Sequence, residues 1–596
     1  METNHNFQVN LAGLIDLLSN HLYSNPGVFI RELLQNAADA ITARKRLGHQ
    51  FSPRIHAETY SNHTISIQDN GIGLTRDEMI KFLASIGSTS KKDQLDGADD
   101  FIGQFGVGLL SCFIVSDEIV LLTRSALDGE SLEWRGRPDG TYQIRKLDHE
   151  VPIGSTVYLK AKPEYEELFE YWQLKGLLKK YGQYLDVRMT LLDEGFEEVI
   201  SEERLPWKLG REEAAQFVED ETGSRPLDII PLSSTLGGLE GFAAILPYTV
   251  NVQEKKRHRV YLKNMLLSEE VSDLLPAWAF FVDAYVNTTS LKPTASRESF
   301  QKNDLFDHVQ EELGEQIKQY FKRIAAENRE LFERILSVHY QSIKLVANED
   351  SELYGLFIPY LKFETSYGEM EMSAIVGQVD TLYVTATVDE FRQIARVAKA
   401  QQVLAVNGGY QYDFGLLTKA NEVWEQLKVE VLDVMKFSSR FTPLPPQERE
   451  ETRDFLERAN DFLSNYHCVG TIQYFEPADL PVLYITNKDL NYWKIAGDTI
   501  RTADAAFADL LGALKAGYVE EPLSRLCFNY NNPMIRKIVA SRDERLQRRA
   551  IELFYTQSLL MGNHGMSNQE LQLMNESLFF FVNLGLDQAE AGERRG

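Results

Sequence analysis

Three groups of residues within the first 110 positions are of types and spacings that do chemistry. In Phe29–Ile41 (FIRELLQNAADAI), a helix turning about 100° per residue carries Glu32, Asn36 and Asp39 within about 60° of arc. Two carboxylates and an amide on one stripe can position water, share a hard cation or accept hydrogen bonds from a ligand. Leu33, Leu34, Ala37, Ala38 and Ile41 fall on the opposite face and are expected to pack on a core. A merely solvated face would more often use Glu, Lys or Gln, since Asn and Asp are poor helix formers. Next, Thr64–Gln68 alternates as a half-buried strand and delivers Asp69 into Asn70-Gly71-Ile72-Gly73. Glycine there lets another group approach the backbone closely, although Asp-Asn-Gly is also the sequence of a hairpin turn. Third, Ile102-Gly-Gln-Phe-Gly-Val-Gly108 runs into the apolar stretch Leu109–Val115. Such a loop aims backbone N–H groups and a helix dipole at one point, the usual way to hold phosphates. It lacks the Gly-Lys-Ser/Thr ending of a P-loop and the glycine spacing of a dinucleotide fingerprint, which excludes both common nucleotide motifs.

These groups need a scaffold of several cores, and 596 residues suffice for about three to five domains. With 43% hydrophobic and 25% charged residues the composition is that of a globular protein. The 88 acidic and 62 basic side chains leave a net charge of −26, which disfavours nucleic acid and anionic membranes as partners. Cys112, Cys468 and Cys527 are too few and too scattered for a disulfide framework or a zinc site, so a reducing compartment is expected. With neither a secretory signal pattern nor about 18 consecutive apolar residues, a soluble cytoplasmic protein is expected. Residues 1–200 hold nearly all the glycine punctuation. Residues 201–225 are charged, carry Pro206 and read as a linker. Residues 226–480 mix strand-like stretches (Gly241–Val252, Arg259–Leu267, Asp380–Thr387) with helices from Leu305 and over Asp389–Gln401. Residues 481–586 end in two apolar helices, Asp543–Met561 and Asn568–Leu584, before a polar tail, 587–596.

The three groups, in this order, resemble the ATP-binding domain shared by gyrases, histidine kinases, mismatch-repair proteins and heat-shock protein 90 chaperones. Phe29–Ala40, Asp69–Gly73, Ile86–Lys91 and Ile102–Gly108 are similar to the heat-shock protein 90 signatures in order and spacing. Further on, Leu291–Gln301 (LKPTASRESFQ) resembles that family's catalytic loop, Leu361–Ser366 a middle-domain signature, and Asn529–Ile535 with two apolar helices its dimerisation module. The resemblance implies a multidomain α/β (α+β) protein. An amino-terminal two-layer α/β sandwich of the Bergerat type binds ATP, an α/β middle domain carries the catalytic loop, and an α+β carboxyl-terminal domain dimerises.

Carried over residue by residue, Glu32 would orient the attacking water, Asn36 would hold Mg²⁺ with the phosphates, and Asp69 would read the adenine amine. Asp39, Ala40, Gly73 and Leu74 would line the nucleotide site, with Ser155 standing where the family usually has Thr. Gly106, Val107 and Gly108 would cradle phosphates, Gly103, Phe105 and Leu109 would also bind the nucleotide, Ser85 and Lys91 would belong to a lid, and Arg297 would reach the terminal phosphate from the middle domain. Phe82, Thr294 and Leu109-Leu110 depart from the family pattern, which bears on rate and inhibitor affinity rather than on nucleotide binding. The implied activity is ATP hydrolysis driving a homodimeric clamp around partly folded client proteins in the cytoplasm. The tail lacks the acidic motif that docks helical-repeat cochaperones. The competing readings are a DNA-processing ATPase of the gyrase or mismatch-repair type, and a nucleotide-binding scaffold with little turnover. A sensor kinase is disfavoured because only about 28 residues precede the nucleotide helix, too few for an upstream phosphoacceptor helix.

Elsewhere, His467-Cys468 has no second ligand pair at metal spacing and reads as structural. The basic run Arg536, Lys537, Arg542, Arg545, Arg548 and Arg549 reads as a solvated or ion-paired helix face. Trp278, Phe280 and Phe281 fit either core or an exposed client-binding patch, and Phe579–Phe581 either core or interface.

Overall fold

Strand β1 (Arg54–Tyr60) alternates buried and half-exposed residues and pairs antiparallel with β2 (Thr64–Asp69) across a turn at residues 61–63. The computed structural model describes residues 25–83, 102, 108–251, 257–294, 299–433, 437–486, 524–562 and 564–593. Strands β3 (Ile119–Arg124), β4 (Ser131–Gly136), β5 (Tyr142–Lys146), β6 (Gly154–Lys160), β7 (Arg188–Asp193) and β8 (Phe196–Val199) complete an eight-stranded sheet. Its order is β5-β4-β3-β6-β2-β1-β7-β8, antiparallel except between β1 and β7. Residues directly opposite one another point to the same face. Ile55, Asp69, Ser155, Thr123 and Leu132 therefore form one row across five strands, apolar at both ends and polar in the middle.

Helices α1 (Val28–Arg46), α2 (Cys112–Val115) and α3 (Tyr171–Gly182) cover the face to which this row points. Phe29, Ile30, Leu34, Leu174 and Leu178 pack there on Ile55, Ile65, Leu121, Leu159 and Leu191, giving a two-layer α/β sandwich. Strand β2 is less exposed than its alternation suggests. It is central, and its outward Ser66 is only 4% exposed, opposite Tyr158 and 3.4 Å from the Tyr60 hydroxyl.

A second sheet, of β9 (Ile229–Ser234), β10 (Leu239–Ile245), β11 (His258–Leu262), β12 (Met265–Val271) and β13 (Val282–Thr288), has the order β12-β11-β13-β10-β9. The stretch read from sequence as one strand at Arg259–Leu267 is instead a hairpin, turning at Lys263 and Asn264 with φ of 49° and 68°. The segment expected to be a linker holds helix α4 (Arg211–Thr222), whose Ala214, Ala215 and Val218 are buried against Ile229 and Phe242. Phe280 and Phe281 belong to the core. Asn303 caps the long helix α5 (Asp304–Glu327) by accepting from the Phe306 N–H. The core of the first sheet runs on through Tyr184 and Trp207 to Tyr261, Met265 and Leu266 of β11 and β12. The Lys180–Glu269 ion pair closes the same joint.

The chain divides into two compact units between His339 and Tyr340. In the second, α6 (Tyr340–Glu349) precedes β14 (Lys362–Thr365), β15 (Gly368–Glu371), β16 (Thr381–Thr385), β17 (Ala405–Asn407) and β18 (Lys428–Val431), in the order β15-β14-β17-β16-β18. Thr387 and Glu390 form a capping box at the start of α7 (Val388–Ala400). Lys344 of α6 and Asp413 form an ion pair whose side chains are 2% and 3% exposed, with the ammonium 4.0 Å from the Tyr340 ring centre. Burial pushes the lysine pKa down and the aspartate pKa up, and their contact opposes both shifts.

A last sheet, β19 (Thr442–Pro443), β20 (Cys468–Tyr474), β21 (Val482–Thr486) and β22 (Ser524–Asn529), is ordered β19-β20-β22-β21. It packs with α8 (Pro446–Leu463) and α9 (Glu544–Met561), and α10 (Asn568–Glu593) follows. Cys468 is buried in that core, and Arg548 and Arg549 pair with Glu552 on α9. On α10, Phe581 packs inward, while Leu571, Leu578, Phe579, Val582 and Leu586 stay exposed.

Candidate active site

Helix α1 presents acid, amide, acid as the sequence predicts, but two of the three are covered. Glu32 is 2% and Asp39 1% exposed, and only Asn36 is open to solvent. The Glu32 carboxylate lies 3.5 Å from the Arg31 guanidinium and directly against Gly108, where a β-carbon would collide with it. A glycine at that position is thus what lets the helix following the glycine-rich segment approach the carboxylate. Cys112, one turn on, has its thiol pKa pushed up by burial and, secondarily, by the Glu32 charge. Asp39 accepts a hydrogen bond from the Ile102 N–H at 2.7 Å, so this carboxylate braces the start of the glycine-rich segment.

Asp69 ends the central strand and does not enter a hairpin. The chain continues through residues 70–74, clamped on both sides. The Ile72 N–H donates to the Ala40 carbonyl at 3.0 Å, and the Ala126 N–H donates to the Ile72 carbonyl at 2.8 Å. Gly73 has φ of 70°, and a β-carbon there would strike the Arg124 carbonyl. Asp69 is 8% exposed and accepts from the Gly71 N–H at 2.7 Å. Burial pushes its carboxyl up to about 7, against the opposing pull of the Gly71 and Ser155 N–H groups and of Arg44.

Beside it in the row, the Thr123 hydroxyl is a hub. It donates to the Gly154 carbonyl at 2.9 Å, accepts from the Leu74 N–H at 3.0 Å and lies 3.0 Å from the Ser155 hydroxyl. Sequence reasoning missed Thr123. Its signal was a lone hydroxyl at an inward position directly after the apolar run Ile119–Leu122. It also missed Arg44, which donates to the Asn70 carbonyl at 2.7 Å and lies over the Phe51 ring at 4.3 Å.

The structure therefore brings Glu32, Asp39, Ala40, Asp69, Gly73, Leu74, Gly108 and Ser155 into one connected region, with Asn36 on the exposed side of α1 and Leu109 partly buried beside the core. Ser85, Lys91, Gly103, Phe105, Gly106, Val107 and Arg297 lie outside the described residues, as does the Phe82 side chain. The base of the loop that carries Arg297 is described. Pro293 bridges Phe300, Thr294 donates to the Ser299 carbonyl through both its N–H (2.9 Å) and its hydroxyl (3.1 Å), and Ser299 donates to Asp273 at 3.0 Å. Among the described residues no cluster of three His, Cys, Asp or Glu side chains could hold a metal ion, and no helix is long and apolar enough to cross a membrane.

Residues 23–136 match the family model described as histidine kinase-, DNA gyrase B- and HSP90-like ATPase, and residues 246–390 match the Hsp90 protein model. The chaperone protein HtpG of Chlorobium luteolum is 29% identical over 400 residues, covering 61% of this chain and 63% of that protein. The chain thus spans less than two thirds of that relative's length. HtpG of Fusobacterium nucleatum is 28% identical over 506 residues, 77% of this chain and 82% of its own, and HtpG of Rhodococcus jostii is 25% identical over 479 residues, 70% and 73%. The two matched models fall in the order of the two sheets, the first spanning Glu32, Asp69 and Gly108 and the second reaching across the base of the 291–301 loop, so the chain is similar to heat-shock protein 90 chaperones across both stretches.

Proposed function

We propose that the chain is an ATP-dependent molecular chaperone, hydrolysing ATP to ADP and phosphate as a homodimeric clamp closes and reopens around partly folded client proteins. The observation that carries this reading is the pairing of two buried carboxylates in different settings. Asp69 ends a central strand among backbone donors, and Glu32 lies against the first residue of the segment that follows the glycine-rich loop. Asp69 accepts from the exocyclic amine of adenine, with Ser155 beside it. Glu32 accepts a hydrogen bond from the attacking water and orients it toward the terminal phosphate, while the 103–108 backbone and Lys91 hold the phosphates. Arg297, on the loop closed at Thr294 and Ser299, adds a guanidinium to the charge of the transferring group. The donor set fits Mg²⁺ that arrives with the nucleotide. Asn36 offers one open amide oxygen, and a hard cation keeps waters and phosphate oxygens for its remaining ligands. When bound, the ion supplies positive charge to the phosphates.

The exposed apolar residues Leu571, Leu578, Phe579, Val582 and Leu586 support a second copy as the partner of α10. A cytoplasmic location agrees with three buried, unbridged cysteines. The DNA-processing alternative is disfavoured by the net charge of −26, since Arg548 and Arg549 of the basic run are committed to ion pairs. The test is steady-state ATP turnover and nucleotide binding in the full chain carrying Glu32→Ala. Retained binding with turnover reduced by roughly a hundred-fold or more is expected for loss of a water-positioning group, and turnover at the unsubstituted rate would move the general base elsewhere.

A further inference from the structure

We propose that Thr123 sets the hydrogen-bonding polarity of the base-recognition site, turning Ser155 into an acceptor so that the site admits a 6-aminopurine and rejects a 6-oxopurine. The inference rests on the adenine reading of Asp69 and Ser155 and adds to it a residue that would not itself touch the base.

Ser155 is the direct cross-strand partner of both Asp69 and Thr123, so the three side chains leave the sheet on one side, in one row. A hydroxyl has one hydrogen to give and two lone pairs to receive with. Around Thr123, the Gly154 carbonyl can only accept and the Leu74 N–H can only donate. The single assignment that uses all three contacts has Thr123 giving its hydrogen to Gly154 and receiving hydrogens from Leu74 and Ser155. Thr123 is fully buried, so water does not compete for these contacts.

The Ser155 hydrogen is thereby committed inward, and only its lone pairs remain for the pocket. Beside them stands the Asp69 carboxylate, also an acceptor. Two adjacent acceptors match the two N–H donors of an exocyclic amine. A carbonyl oxygen at the same position faces acceptors on both sides, and an unmatched buried polar contact is where binding sites discriminate most strongly. Without the Thr123 oxygen, the Ser155 hydroxyl is free to rotate and donate outward.

The experiment measures equilibrium binding of ADP and of IDP, with Mg²⁺, to the full-length chain, using product nucleotides so that turnover does not intrude. The unsubstituted protein is expected to prefer ADP. Thr123→Val, nearly the same shape without the hydroxyl, is expected to lower the ADP-to-IDP affinity ratio by roughly ten-fold, the scale of one well-placed hydrogen bond, and Thr123→Ser to restore it. A purely structural threonine would weaken both nucleotides alike and leave the ratio unmoved, which would overturn the inference. Should Thr123→Val not fold, Ser155→Ala gives the decision. Loss of the acceptor must lower the ratio through weaker ADP binding, and an unchanged ratio again overturns the proposal. A chain that binds neither nucleotide would instead remove the adenine reading itself, whereas preference for ADP with an indifferent Thr123→Val would remove only the role of Thr123.

Discussion

Asp69 and Asp413 are both buried carboxylates, one in each unit, and they are held in opposite ways. Asp413 has a lysine in direct contact, itself sealed beneath Tyr340, so its charge is answered within the fold. Asp69 has backbone N–H groups and only the distant influence of Arg44, and burial leaves its carboxyl near 7. An ion pair closed on itself has its charge already answered, and it holds two segments together. A carboxylate supported by backbone donors alone keeps lone pairs and part of its desolvation penalty in reserve for a ligand that donates. The difference separates an acid engaged within the fold from one whose lone pairs a ligand could use, without reference to any sequence motif.

The largest effect that should divide them is on stability. Lys344→Met leaves Asp413 buried without its cation and should destabilise the second unit by about 3–5 kcal/mol, read as a shift in the denaturation midpoint. A change under about 1 kcal/mol would mean that the pair is not what holds α6 in place. Asp69→Asn should do the reverse. Adenine-nucleotide affinity should fall by roughly a hundred-fold or more, about 3 kcal/mol, because an amide can present a donor where an acceptor is needed. Stability at pH 8 should rise. A carboxyl whose folded pKa lies above its unfolded value contributes stability below the unfolded value and loses it as pH climbs through the folded one, and the substitution removes that loss. Wild-type affinity in this variant by calorimetry would take Asp69 out of the site.

Smaller, but specific to Asp69, is a pH dependence. If, as proposed, the ionised form accepts from adenine, affinity should be full above about pH 8 and fall as pH drops through 7, approaching ten-fold per unit below it, with Asp69→Asn flat over the same range. Smallest is the contribution of Arg44. Its replacement by Met should move that binding midpoint upward by roughly half a pH unit, the scale of a partly screened charge. A downward movement would contradict the sign of its influence.

Much of this was legible in the sequence, and what was not has common physical causes. Helical periodicity marks α1 and its polar stripe, and the start of α9 reads directly from Asp543, which caps it by accepting from the Leu546 N–H. Thr123 was not legible because it sits in an apolar run whose alternation says only that it points inward. Its neighbour Ser155 is set by strand register across β3 and β6, and Leu74 reaches it from the loop after β2, both non-local properties. Asp39 reads as a ligand-facing acid, yet its carboxylate is engaged by the Ile102 backbone, a contact that spacing does not encode. The β11–β12 turn was hidden because two residues other than glycine, Lys263 and Asn264, take the left-handed conformation. The helix at Arg211–Thr222 was hidden because it anchors through only Ala214, Ala215 and Val218, too narrow a stripe to stand out from its charges.

The insertion of β6 between β3 and β2 also governs when the site comes into existence. Asp69 and Thr123 belong to strands that never pair with each other; within the sheet Ser155 aligns them, and β7 afterwards closes on β1 from still further along the chain. Contacts of such sequence separation form late and slowly, because the intervening loops must be closed before pairing compensates for the lost entropy. During synthesis, then, a chain ending before Gly154 carries the acid and the threonine on strands not yet joined in one sheet, and on the proposed reading recognition of a nucleotide awaits assembly of the central sheet. On the proposed reading, ligand capture is a report that the central sheet has assembled, and adenine nucleotide present at that moment would stabilise the domain by mass action.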